Sequence, residues 1–186
     1  MHLVGHDWGA NSGWLVAAHR PELVRTWTAL SVPHPAAFRT TMFTTRQAAK
    51  SWYMAAFQAP RLPERLAARP GGRFDRELRK SGMTQEEVAQ FRREIVDDGA
   101  LTGGLNWYRG MPLTRQGAVR GKVRVPTTLV WSDGDVAISR IPIDRCAAYV
   151  DAPYELRVLE GATHWIPTQH PEAVADAVLG RIGSSA

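Results

Sequence analysis

At 186 residues, 44% hydrophobic and 22% charged, the chain can hold one domain with a substantial core, or a core plus a smaller insertion, in an ordinary globular composition. No stretch approaches the roughly 18 consecutive apolar residues of a membrane span, the first residues lack the charged-then-apolar order of a secretion signal, and the single cysteine, Cys146, cannot form an internal disulfide, so a cytoplasmic protein is the default expectation. The net charge of +5 comes from scattered arginines, and the densest run, Arg61 to Arg79, also carries Glu64, Asp75 and Glu77, without the aromatic-basic interleaving of a nucleic-acid surface.

Residues 2 to 5 (HLVG) read as the end of a buried strand. Gly9, Ala10 and Gly13 then open a helix to about His19, stopped at Arg20-Pro21. TWTALSV (26 to 32), bounded by Pro33-His34-Pro35, is a second buried strand. Strand, helix, strand at this spacing is a βαβ unit, which implies a parallel sheet. From Ala36 to Ala118 the pattern turns helical: Thr45 to Phe57, Glu64 to Arg69, Phe74 to Lys80, Thr84 to Val96 with a capping box (Thr84, Glu87), and a helix bearing Leu101, Leu105, Trp107 and Tyr108. After Gly121 the α/β rhythm resumes. TTLVW (127 to 131) is a strand, SDGD (132 to 135) a turn, Ile143 to Val150 a helix and YELRVLE (154 to 160) a strand. Gly161 to His164 form a loop, and Pro171 opens a last helix to about Ile182, with only the terminal GSSA reading as disordered.

One constellation carries chemistry. In Gly5-His6-Asp7-Trp8-Gly9-Ala10, small residues two before and two and three after Asp7 suit a sharp strand-to-helix turn that presents one side chain, the nucleophile elbow, whose usual centre is Ser. Carboxylates are ionised at neutral pH, so a nucleophile of this kind attacks without a base and leaves an alkyl ester on the enzyme. That ester needs activated water, for which a histidine oriented by a carboxylate is the usual device. Asp135 ends the turn after TTLVW and His164 lies in the loop after YELRVLE, both at the carboxyl ends of parallel strands, where open α/β sheets hold their sites. Asp133 is the rival for the acid role and is expected to be structural. The His-Glu and Cys-Cys spacings of a zinc site are absent.

The LVGHDWGA turn, the LVWSDGD strand and turn, and the GATHW loop resemble the α/β-hydrolase fold family, in its branch with an Asp nucleophile: epoxide hydrolases and haloalkane dehalogenases. The resemblance covers essentially the whole chain. It implies an α/β-hydrolase core at residues 1–35 and 119–186, with an inserted all-helical cap domain at 36–118. WYMAAFQAP (52 to 60) and LNWYRGMP (105 to 112) are similar to the epoxide-hydrolase segments whose tyrosines hold the epoxide oxygen and protonate the alkoxide, which places Tyr53 and Tyr108 in those roles. It implies a backbone oxyanion donor at Trp8, which in dehalogenases also binds halide. The expected catalytic set is therefore Asp7, Asp135, His164, Tyr53 and Tyr108. The partners are a small-molecule epoxide and water, with no cofactor, metal or nucleic acid; the oligomeric state, homo-oligomers included, stays open. The alternative is a haloalkane dehalogenase, which the absence of a carboxylate in SVPHPAA weakens.

The family's core has eight strands, and only four are legible here; the His-Gly-x-Pro loop of the second oxyanion donor is not found. A partial core is thus expected, with the nucleophile strand at an unpaired edge. A truncated, inactive fragment that needs preceding residues or a partner is the further expectation.

Overall fold

The computed structural model describes residues 1–42, 47–113 and 121–184. The chain divides into two compact units, one formed by Met1–Lys50 with Arg115–Ala186 and the other by Ser51–Thr114.

The first unit is built on four parallel strands, β1 (His2–His6), β2 (Thr26–Leu30), β3 (Thr127–Ser132) and β4 (Tyr154–Leu159), in the order β1-β2-β3-β4. The register sets Leu3 beside Trp27 and Ala29 beside Leu129. Alternation along the strands sorts the core into two layers. Trp27, Ala29, Leu129 and Trp131 pack with Ala10, Trp14 and Ala17 of helix α1 (Trp8–His19), whereas Leu30 and Val130 pack on the other side with Ile166 and Ala177. Both faces of β2 and β3 are therefore covered, and every residue of these two strands is buried. Removing Leu129 or Trp27 from water contributes roughly 2–3 kcal/mol each. Gly13 lets α1 approach, because a Cβ there would lie 2.1 Å from the Trp27 ring. β1 is an edge strand, paired only with β2 among the described residues, and its Val4 is 43% exposed.

Helix α2 (Pro35–Met42) and helix α3 (Gln47–Lys50) also group with this unit, although residues from 36 onward were expected to open the helical insertion. The reason is packing: α2 lies on α9 (Arg140–Asp144), and Gln47 and Lys50 hydrogen-bond the backbone of residues 135–139. Residues 43–46 and 114–118 of the expected insertion, and 185–186 of the terminal GSSA, lie outside the described residues. Ser184 of that terminus donates to the Arg181 carbonyl. The helix expected over 143–150 is instead α9 followed by a 3-10 turn at Cys146–Tyr149. Pro142 falls in the first turn of α9, where its missing N–H has no intrahelical partner to lose. Helices α10 (Ile166–Gln169) and α11 (Pro171–Gly183) close the unit.

The second unit is all-helical in its described residues: α4 (Trp52–Ala56), α5 (Leu62–Ala67), α6 (Arg73–Lys80), α7 (Gln85–Phe91) and α8 (Leu101–Gly110). The single helix expected over 45–57 is interrupted at Ser51. Thr84 and Glu87 form the expected capping box, and α7 runs on into a π-helical segment, Arg92–Asp97. The apolar core is small, Ala67, Leu101 and Leu105 with Phe57 and Phe74 against them. A partly buried ion pair reinforces it: Arg92 donates to Asp75 at 2.9 Å and to the Ala67 carbonyl at 2.8 Å.

Candidate active site

β1 runs into α1 through a single residue, Asp7, with φ 51° and ψ −121°. This is a strained conformation for a residue with a Cβ, and it turns the side chain outward at the tip of the sheet. The turn closes because Gly5 has no side chain: a Cβ there would sit 2.6 Å from the Gly9 carbonyl oxygen and 2.9 Å from the Ala10 nitrogen, both backbone atoms. At Gly9 a Cβ would meet open space, so of the two flanking glycines only Gly5 is demanded by crowding. Asp7 occupies the N-cap of α1 without a side-chain cap bond, so its carboxylate is not spent on the helix, and it is 43% exposed.

Opposite it, Asp135 and His164 form a buried pair. Asp135 divides its oxygens: Oδ1 accepts from the Ala137 and Ile138 amides at 2.7 and 2.9 Å, and Oδ2 lies 2.7 Å from His164 Nδ1. A carboxylate on Nδ1 puts the proton of the neutral ring there. Nε2 is left with its lone pair, and it faces Asp7 Oδ1 at 4.0 Å. Burial disfavours the charge on His164, but the hydrogen bond and charge of Asp135, with the charge of Asp7 behind them, outweigh it and hold the imidazole pKa above its ordinary value. Asp133 is engaged elsewhere, accepting from the Gly161 amide at 2.7 Å. Asp135 is thus the carboxylate on the ring, and Asp133 tethers the loop.

Five residues around this pair went unrecognised in the sequence. Gln47 bridges the Ala137 carbonyl and the Ser139 amide, and Lys50 donates to the Asp135 carbonyl at 2.7 Å, so α3 braces the acid turn. Ser132 Oγ donates to the Thr163 carbonyl, and His6 and Ser31 both reach the His164 carbonyl. No local signal marks them, because each bond joins segments far apart in the chain.

In the second unit, Tyr53 on α4 and Tyr108 on α8 stand side by side, ring centroids 5.9 Å apart and planes at 77°, with Phe57 edge-on to both. Arg109 locks this pairing: its guanidinium grips Glu64 through two bonds of 2.8 and 3.0 Å and also donates to the Phe57 and Ala59 carbonyls. Gln58 adds a bond to the Tyr108 carbonyl at 2.7 Å. Among the described residues no group of three or more His, Cys, Asp or Glu side chains could hold a metal, and no helix is long and apolar enough to cross a membrane. The structure thus brings Asp7, Asp135 and His164 together in one unit, and Tyr53 and Tyr108 together in the other, with Trp8 as the first residue of α1.

Comparison with known proteins bears on this arrangement. The alpha/beta hydrolase family model matches residues 2–177. The chain is 30% identical to epoxide hydrolase 3 of Xenopus tropicalis over 92% of its own length and 50% of that protein's. It is 32% identical to the AB hydrolase superfamily protein YfhM of Bacillus subtilis over 95% of its own length and 64% of that protein's. It spans about half the length of most curated relatives it matches. Among solved structures, the Bacillus megaterium epoxide hydrolase bound to an inhibitor superposes with a TM-score of 0.78 at 23% identity, covering 98% of this chain and 69% of that one, a likeness of fold. With its parallel sheet, its strand-end site and a family match over nearly its full length, the chain belongs to the alpha/beta hydrolase family.

Proposed function

We propose that this chain carries the hydrolytic machinery of an epoxide hydrolase acting through an ester on Asp7. The observation that carries the reading is the facing of a strained, outward-turned carboxylate and the free Nε2 of a histidine whose Nδ1 is held by a buried Asp135. The similarity to curated epoxide hydrolases supports the choice of substrate class.

In the first step an Asp7 oxygen attacks an epoxide carbon and the ring C–O bond breaks. The departing oxygen takes a proton from the phenolic hydroxyls of Tyr53 and Tyr108, whose paired rings in the second unit support a shared role as acid. In the second step His164 Nε2 removes a proton from water, and the resulting hydroxide attacks the ester carbonyl of Asp7. The oxyanion is stabilised by the Trp8 backbone N–H. Collapse releases the vicinal diol, whose oxygen recovers the proton from His164, and the second proton of the attacking water, left on the Asp7 carboxyl, returns through solvent to the tyrosinate, which restores both groups.

The electrostatics suit this order. The negative charge of Asp7 is one of the groups that hold the His164 pKa up. Esterification removes that charge, so His164 gives up its proton more readily in the intermediate, when a neutral base is required. Single turnover of styrene oxide in heavy-oxygen water tests the reading: label is expected in the Asp7 carboxylate. Label confined to the diol overturns the ester route, and halide release from a haloalkane without diol formation from the epoxide overturns the substrate class.

A further inference from the structure

The backbone carbonyl of His164 accepts two hydrogen bonds, one from His6 Nε2–H at 2.9 Å and one from Ser31 Oγ–H at 3.0 Å. The donors come from the carboxyl ends of β1 and β2. Ser31 is fully buried and has φ 65°, and the Val32 amide bonds back to the Leu30 carbonyl at 2.8 Å. That is a three-residue γ-turn in its rare positive-φ form. Such strain persists in a non-glycine residue where the surroundings over-determine it, often at functional sites; here it aims the hydroxyl at one carbonyl.

A ring pinned only at Nδ1 can still swing about its bond to Asp135. Fixing the backbone of the same residue removes that freedom and settles where Nε2 points. His6 adds a second constraint, because its main chain leads into Asp7 while its side chain holds the histidine loop. Burial, followed by the charge of His164, keeps the His6 pKa below its ordinary value, with Asp7 and Asp135 pulling the other way. The neutral ring keeps one N–H, and the carbonyl places it on Nε2.

We propose that His6 and Ser31 are positioning residues that hold the base, His164, by its backbone at a fixed distance from the nucleophile. The proposal rests on the reading of His164 as base and Asp7 as nucleophile. It gains support from the neighbouring ties of the same loop, the Gly161 amide to Asp133, the Ala162 carbonyl to the Gly134 amide, and the Thr163 carbonyl to Ser132. Strand-end groups thus hold every residue from Gly161 to His164.

Ser31→Gly separates positioning from backbone strain, since glycine adopts the positive φ without strain and only the small hydroxymethyl group is lost. It is compared, in the full chain, with His6→Leu and with His6→Gln, whose amide can restore a donor. Two readouts are taken: the nitrogen-bound Nδ1 proton of His164 by NMR on histidine-labelled protein, and single-turnover formation and decay of the Asp7 ester by mass. Ser31→Gly and His6→Leu are expected to broaden the Nδ1 proton signal and to slow ester decay about tenfold or more, with ester formation within about twofold of the parent. His6→Gln is expected to recover both. An unchanged Nδ1 signal and ester decay in Ser31→Gly and His6→Leu overturns the proposal, as does an equal fall of ester formation and decay that tracks a fall in Tm. A parent chain that forms no ester refutes the functional reading instead, and the NMR comparison then decides the positioning by itself.

Discussion

His34 offers a test of the fold that needs no substrate. It is 1% exposed, its Nε2–H donates to the Gly121 carbonyl at 3.0 Å, its Nδ1 accepts from the Ala36 amide at 3.2 Å, and Tyr149 stacks on its ring. Both nitrogens are used as a neutral ring would use them, and a second proton would break the Ala36 bond. Burial therefore lowers its pKa from 6.5 to about 4, against the pull of the Gly121 carbonyl. With a depressed histidine pKa, the unfolded chain binds a proton that the folded one refuses. The stabilisation is full above pH 6.5 and is lost as the pH falls from 6.5 towards about 4. At about 1.4 kcal/mol per pKa unit, the loss across that window is about 3 kcal/mol. The assay is urea unfolding followed by tryptophan fluorescence, with Trp14 edge-on to the His34 ring at 5.3 Å, on the parent and on His34→Gln from about pH 7.5 down to about pH 4. The stability difference between the two proteins should shrink by about 3 kcal/mol on acidification. Parallel curves would refute the reasoning.

Gly5→Ala should lower stability by about 2–3 kcal/mol in the same assay, because the added methyl meets only backbone at 2.6 Å. Asp135→Asn removes the hydrogen bond and charge that hold the His164 pKa up, leaving burial to pull it down. The rising limb of the rate of ester hydrolysis against pH should then move to lower pH, while the plateau falls by about 10²–10⁴-fold. Tyr53→Phe and Tyr108→Phe should each slow ester formation by roughly 10²-fold and leave decay of a preformed ester unchanged, as rapid-quench single turnovers would report.

The features legible in the sequence share a physical character: their signal is local. The elbow shows itself because Gly5 stands two residues before Asp7, the capping box because Thr84 and Glu87 are three apart, and the fold class because buried parallel strands read as short runs of apolar and β-branched residues such as TTLVW. What stayed hidden depends on distance. Ser31 and His6 meet His164 across 133 and 158 residues, and their bonds follow from where the strand ends converge. Gln47 and Lys50 lie in a stretch with helical periodicity, so they read as part of the insertion, although their side chains serve the Asp135 turn. The helix expected over 143–150 instead begins at Arg140, with Pro142 in its first turn, and gives way to a 3-10 turn at Cys146–Tyr149.

The left-handed twist at residue 7 belongs to the main chain, and nothing in the Gly5 to Gly9 crossing refers to a carboxyl group. The sheet builds a seat, and the side chain that occupies it decides the chemistry. A hydroxyl there would have to be deprotonated by the same imidazole that, in the proposed mechanism, serves water, and the covalent intermediate would carry the substrate's acyl group in place of an alkyl chain. One backbone crossing, with its histidine and aspartate already in position, can therefore be handed between reaction types by a change at a single residue, while the framework that bears the strain stays as it is.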